Sequence, residues 1–281
     1  MRTMTILLLS VALTALASCK QAQQQEVAEA EVLDIPECVV TTPPDSLHLD
    51  PFYKKYVDVN GIPLISSWRV PDSAFVAAHR TLYAMTSMLD KAVLDSMVGR
   101  GTRVAIMARY EGTTDLPEHH YLINDTSMNW DVRARGLEGT LEIPLTSCAE
   151  ENVLAYQIDK YHAEDILIHE FSHSIHLIGL TLAVPGFNDR LEQCYENAKA
   201  KGILTNTYRE TEPMEYFAEA VQDWFNVNAE MPYADGKHNW CNTREELKDF
   251  DPDIYNLLEE HFPKTSLQIS KHPKVNNISR Y

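Results

Sequence analysis

Two histidines four residues apart, with a glutamate beside the first, stand in the run His169-Glu170-Phe171-Ser172-His173. On an α-helix, residues four apart return to the same face about one turn along. Two imidazoles so placed grip one zinc ion, and the adjoining Glu170 takes a proton from a bound water. The pattern is short and arises by chance, so its surroundings carry part of the argument. Two hydrogen-bonded structural histidines on a buried helix would leave the same trace.

The surroundings predict a helix. Leu167, Phe171, Ile175 and Ile178 repeat at helical spacing and make an apolar stripe, with His169 and His173 projecting away from it. Gly179 followed by Leu180 reads as a glycine stop, so the helix is expected to end within two turns of His173.

A catalytic zinc has three protein ligands and keeps one position for water. The third is sought in Met214-Glu215-Tyr216-Phe217-Ala218-Glu219-Ala220-Val221-Gln222-Asp223-Trp224-Phe225. Pro213 suits the first turn of a helix here. Phe217, Val221, Trp224 and Phe225 form its packing side, and Glu215 and Glu219 lie one turn apart on the other face. Either carboxylate fits as the ligand, leaving its neighbour to hold an imidazole by the spare N–H.

Ile168-His169-Glu170-Phe171-Ser172-His173 followed by Glu215-Tyr216-Phe217-Ala218-Glu219-Ala220 resembles the catalytic domain of anthrax lethal factor and the related clostridial Pro-Pro endopeptidases, zinc metallopeptidases of gluzincin type. The resemblance spans residues 165–225, with Ser172 where those families usually have glycine. It implies a zincin-like α+β fold, one zinc ion per chain on His169, His173 and Glu215, and Glu170 as general base. It also implies that Glu219 orients a ligating histidine and that Tyr208, seven residues before Glu215, stabilises the reacting oxyanion. In such folds an edge strand lines the cleft and pairs with an extended peptide; residues 103–109 and the segment near 140 are the candidates. Substrate preference depends on cleft residues outside the match.

Other histidines fit less well. His176 shares the face of His169 but lies about 10 Å along a straight helix, too far to share an ion. A metzincin needs glycine at 176 and histidine at 179, and the chain has the reverse. His162 reads as a surface or helix-entry residue, and His119 and His120 as exposed loop residues. No cysteine pair has zinc-ribbon spacing.

The remaining elements give a mainly helical α+β domain with a small sheet. Helices are expected from Asp72, from about 188 to 200, from about 211 to 228, at a capping box Thr243-Arg244-Glu245-Glu246, and after Asp251-Pro252. Strands are expected at 103–109 and within 136–144.

The chain of 281 residues with 44% hydrophobic content suffices for one large domain, and its net charge of −17 argues against a nucleic-acid partner. At the N-terminus, Arg2 and an apolar run from Ile6 to Leu13 read as a secretory signal. Leu16-Ala17-Ser18-Cys19 resembles a bacterial lipobox, which would leave Cys19 to be lipidated. The expected organisation is a lipoprotein signal peptide at 1–18, a flexible polar tether at 19–45 and a zincin-like domain at 46–281. The protein is thereby expected at the bacterial cell envelope, lipid-anchored to a membrane, with a peptide or protein substrate. The alternative is a catalytically silent surface lipoprotein that binds a partner and keeps the zinc site as a clasp. Cys38, Cys148, Cys194 and Cys241 permit two disulfides in an oxidising compartment.

Overall fold

Asn60 and Gly61 both take positive φ, 53° and 85°, the geometry of a tight two-residue hairpin turn. They join strands β1 (Lys55–Val59) and β2 (Ile62–Ser66), which pair antiparallel in a computed structural model that describes residues 33–161, 163–265 and 267. The expected signal peptide, Cys19, the first part of the tether and His162 lie outside the described residues.

The sheet continues through β3 (Arg103–Met107), β4 (Gly136–Leu137) and β5 (Leu145–Ala149) in the order β1-β2-β3-β5-β4. β3 runs parallel to β2 and to β5, while β4 is antiparallel to β5. β3 is therefore an interior strand, which removes residues 103–107 as an edge for a peptide. Within the expected 136–144 segment only β4 is a strand, and it forms the edge. β5 was not anticipated: its run Leu-Thr-Ser-Cys-Ala is buried on both faces, so it lacks the alternation that marks a half-exposed strand.

Helices α1 (Asp72–Thr86) and α2 (Lys91–Gly99) follow the hairpin. The motif lies on α3 (Ile166–Ser174), followed by α4 (Phe187–Ala200), α5 (Pro213–Trp224), α6 (Arg244–Phe250) and α7 (Pro252–Glu259). The architecture is α+β, mainly helical with a small sheet. The expected stripe of α3 is confirmed: Leu167, Phe171, Ile175 and Ile178 are fully buried, worth about 1.5–3 kcal/mol each. Phe217, Val221 and Trp224 of α5, and Phe225 just after it, join the same core. The Thr243–Glu246 capping box opens α6 as anticipated, both of its hydrogen bonds being present.

Gly179 does not end the motif helix. The chain passes through a π-helical stretch, Ile175–Leu180, and continues through Thr181–Ala183. A Cβ at Gly179 would stand 2.8 Å from Val93 Cγ1 and 3.2 Å from the Met97 side chain. Glycine is required here for the close crossing of α2, not for a turn. Ser96 Oγ donates to Ile178 O at 2.7 Å in the same crossing.

The segment expected to be tether is drawn into the fold before residue 45. Leu33, Cys38 and Val40 pack against the core, and Thr41 and Tyr56 exchange backbone hydrogen bonds of 2.9 and 2.8 Å. Cys38, Cys148, Cys194 and Cys241 form no disulfide with one another among the described residues. His119, expected in an exposed loop, is buried on a 3-10 turn, Pro117–Asn124, while His120 stays exposed.

Candidate metal centre

Asp165 sets the position of the motif helix. Its side chain accepts from Ile168 N at 3.1 Å, satisfying one of the free donors of the first turn. Its carbonyl accepts from His169 N at 3.2 Å and from Gln222 Nε2 at 3.1 Å, and its own N–H donates to Val227 O at 3.0 Å. One residue thus joins the start of α3 to α5 and to the chain just beyond it.

This junction brings the expected residues together. Glu215 Oε2 lies 3.0 Å from His169 Nε2 and 3.5 Å from His173 Nε2, and the two ring nitrogens are 3.3 Å apart. Metal bonds of about 2.0–2.1 Å in tetrahedral array place their donors about 3.3 Å apart. The three separations scatter around that value, so His169, His173 and Glu215 fit a single small divalent ion without rearrangement.

Electrostatics point the same way. Burial opposes charge on His169, yet its contact with Glu215 and the carboxylates of Glu170 and Glu219 prevail and raise its pKa to about 10. Burial likewise opposes charge on Glu215, but both imidazoles hold it well below the usual carboxylate range. The proton that this arrangement draws to His169 stands where a metal cation would replace it.

The tautomer follows from hydrogen bonding. Gln222 donates its amide to Asp165 O, so its Oε1 faces His169 Nδ1, at 3.0 Å. Nδ1 must then carry the hydrogen, which turns the Nε2 lone pair toward His173 and Glu215. Glu219, expected to orient a ligating histidine, is farther from this one, at 3.8 Å from Nδ1, beyond hydrogen-bond range. Its Oε2 accepts from Asn228 Nδ2 at 3.0 Å instead. Gln222 is the residue missed from sequence, although it lies two turns beyond Glu215 on the same helix face.

Tyr208 comes to the site from a 3-10 turn, Tyr208–Glu210, before α5. Its hydroxyl donates to Glu215 Oε1 at 2.9 Å, and its ring stacks on that of His169. Burial and the neighbouring Glu215 raise its pKa. Burial pushes Glu170 up to about 7 against the pull of the two histidines. Glu170, His169, His173, Glu215 and Tyr208 line one pocket of about 210 Å³, together with Met128, Trp130 and the edge strand β4. Glycine lets that strand approach: a Cβ at Gly136 would stand 2.6 Å from Ile166 Cγ2 and 3.0 Å from Glu170 Cγ.

Ser172, the departure from the resembled pattern, is buried and donates to Ile168 O at 2.6 Å, so its hydroxyl is satisfied within the helix. His176 turns from the site to Asn188 Oδ1 at 3.0 Å and packs on Phe187 and Phe217.

No family model matches the sequence, and no curated protein matches it. Among solved structures, the chain is similar to that of the Pro-Pro endopeptidase PPEP-2 from Paenibacillus alvei, at 19% identity and a TM-score of 0.47. The match covers 71% of this chain and 97% of that one.

Proposed function

We propose that the protein is a zinc-dependent endopeptidase. One observation carries the reading. Two imidazole nitrogens and a carboxylate oxygen converge to within 3.0–3.5 Å of one another, in a pocket that Glu170 and Tyr208 also line. His169, His173 and Glu215 would hold the ion. Zinc bound there supplies a Lewis acid that acidifies water to a pKa of about 7 and polarises a carbonyl.

The chain's own groups do the rest. The Glu170 carboxylate accepts a proton from the attacking water and returns it to the leaving amine nitrogen. The Tyr208 hydroxyl donates to the oxygen that gains charge as the carbonyl carbon becomes tetrahedral. Gln222 keeps the hydrogen of His169 on Nδ1. The edge strand β4 offers its free side to an extended peptide. Cys19 would carry the lipid anchor that holds this domain at the cell envelope, a reading supported by the sequence of the first 19 residues.

The test is a peptide library incubated with the zinc-loaded full chain, beside Glu170→Gln. The wild type is expected to cleave some members, and the variant to keep its tightly bound zinc with activity reduced about 10²–10⁴-fold. A fully active variant would remove Glu170 as the base. A zinc-replete wild type that cleaves nothing would favour the silent, partner-binding alternative.

A further inference from the structure

Beside the histidine–glutamate centre lies a second group of donors that peptide hydrolysis does not use. His238 stands between two carboxylates: Nδ1 is 3.7 Å from Glu219 Oε2, and Nε2 is 3.8 Å from Glu164 Oε1. Both separations are too long for hydrogen bonds. His238 Nδ1 is nevertheless buried and has no hydrogen-bond partner. One ligand atom from each of Glu164, Glu219 and His238 lies within 4.8 Å of the other two.

The group is built rigidly. Asp235 Oδ1 accepts from the N–H groups of Lys237 and His238, both at 2.9 Å, and Lys237 O accepts from Tyr208 N at 2.7 Å. Asn206 bonds Ala234 O and the N–H of Gly236, each at 2.9 Å. Glu219 is fixed from behind by Asn228. The nearest guanidinium, that of Arg209, pairs with Asp223 through Nη1 at 2.6 Å, while its Nε stands 3.9 Å from Glu219 Oε2, beyond hydrogen-bond range. Glu164, Glu219 and His238 line a pocket of about 210 Å³ with His169, Glu170, Arg133, Arg135 and Lys237, and Arg135 is paired with Glu151.

We propose that Glu164, Glu219 and His238 form a second divalent-metal site. One imidazole with two carboxylates suits a first-row transition ion such as zinc or manganese, whereas calcium takes oxygen donors alone. An ion with bonds of about 2.2 Å spaces its donors from about 3.1 Å when adjacent to about 4.4 Å when opposite. The present donors reach that range by shifts of a few tenths of an ångström, and the pocket has room for water to complete the shell. The two centres meet at Glu219, whose Oε1 faces His169 Nδ1 and whose Oε2 faces His238. The site does not require that the first centre be catalytic.

The experiment is equilibrium dialysis of the full chain against zinc, with bound metal counted by mass spectrometry and folding checked by circular dichroism. The wild type is expected to bind one tight and one weaker equivalent. Glu164→Gln and His238→Asn should each weaken the second equivalent at least tenfold and keep the first. His169→Ala should lose the tight equivalent and keep the weaker one. A wild type that saturates at one equivalent, abolished by His169→Ala, would overturn the proposal and leave His238 as an imidazolium between two carboxylates. A second equivalent that survives in both Glu164→Gln and His238→Asn would place that ion elsewhere and overturn it too. Should one of these variants fail to fold, the other and the wild-type stoichiometry still decide.

Discussion

Gln222 Oε1 lies 3.0 Å from His169 Nδ1, nearer than the 3.8 Å of Glu219 Oε1. The neutral amide, not the carboxylate, is therefore the group that sets the tautomer of the first imidazole. Partners in this position are worth about 10–100-fold in metal affinity. Gln222→Leu is expected to weaken zinc binding by that factor in competition with a chromophoric chelator. Unchanged affinity in Gln222→Leu, beside a marked loss in Glu219→Gln, would return the role to Glu219.

Tyr208 is tied to Glu215 Oε1 at 2.9 Å and must turn from that carboxylate to reach a substrate oxygen. Tyr208→Phe is expected to retain its zinc and lose turnover by about 10²–10³-fold, as when one oxyanion donor is removed. Stopped-flow rates on a cleaved peptide check this. A variant with the wild-type rate would leave the tyrosine as packing against His169.

His176, three residues beyond His173 and bonded to Asn188 at 3.0 Å, gives a pH prediction. Burial lowers its pKa to about 4, whereas an unfolded chain titrates histidine near about 6.5. Between those values the unfolded chain binds a proton that the native chain refuses. Stability therefore falls as the pH drops through this window, by about 2 kcal/mol from this residue at pH 5. Burial also lowers the pKa values of His79, His119 and His261, so the slope is shared. Urea melts at pH 7 and 5 should show a smaller difference for His176→Gln than for the wild type; equal differences would refute the assignment.

Gly179→Ala tests the crossing of the motif helix and α2. Alanine in a helix is worth about 1 kcal/mol over glycine, but its Cβ would meet Val93 Cγ1 at 2.8 Å. Overpacking of this kind costs about 1–3 kcal/mol, so the clash prevails and the melting temperature is expected to fall. A rise would mean that the crossing relaxes freely.

The site was legible because its chemistry is local to two helices. His169 and His173 are one turn apart, and Glu215 opens a helix whose packing stripe, from Phe217 to Phe225, predicts the face it presents. That those helices meet through Asp165 is not written in either run, since it depends on a carbonyl and an amide 57 residues apart. Gln222 escaped notice because a glutamine on a polar face has no chemical signature until its partner is known. β5 escaped because both of its faces are covered. Gly179 was misread because a glycine needed for close packing and a glycine that ends a helix look alike in sequence. Cys19 and the signal segment rest on their own local pattern.

The hydrogen bonds that converge on Asp165 have a consequence for how the proposed zinc would be taken up. They are all made by the polypeptide itself, so the two halves of the coordinating set are clamped before any metal arrives. Loading and stripping should be exchange reactions on a finished scaffold rather than folding events. A chelated sample should accordingly keep its circular dichroism spectrum and regain activity as fast as zinc diffuses in.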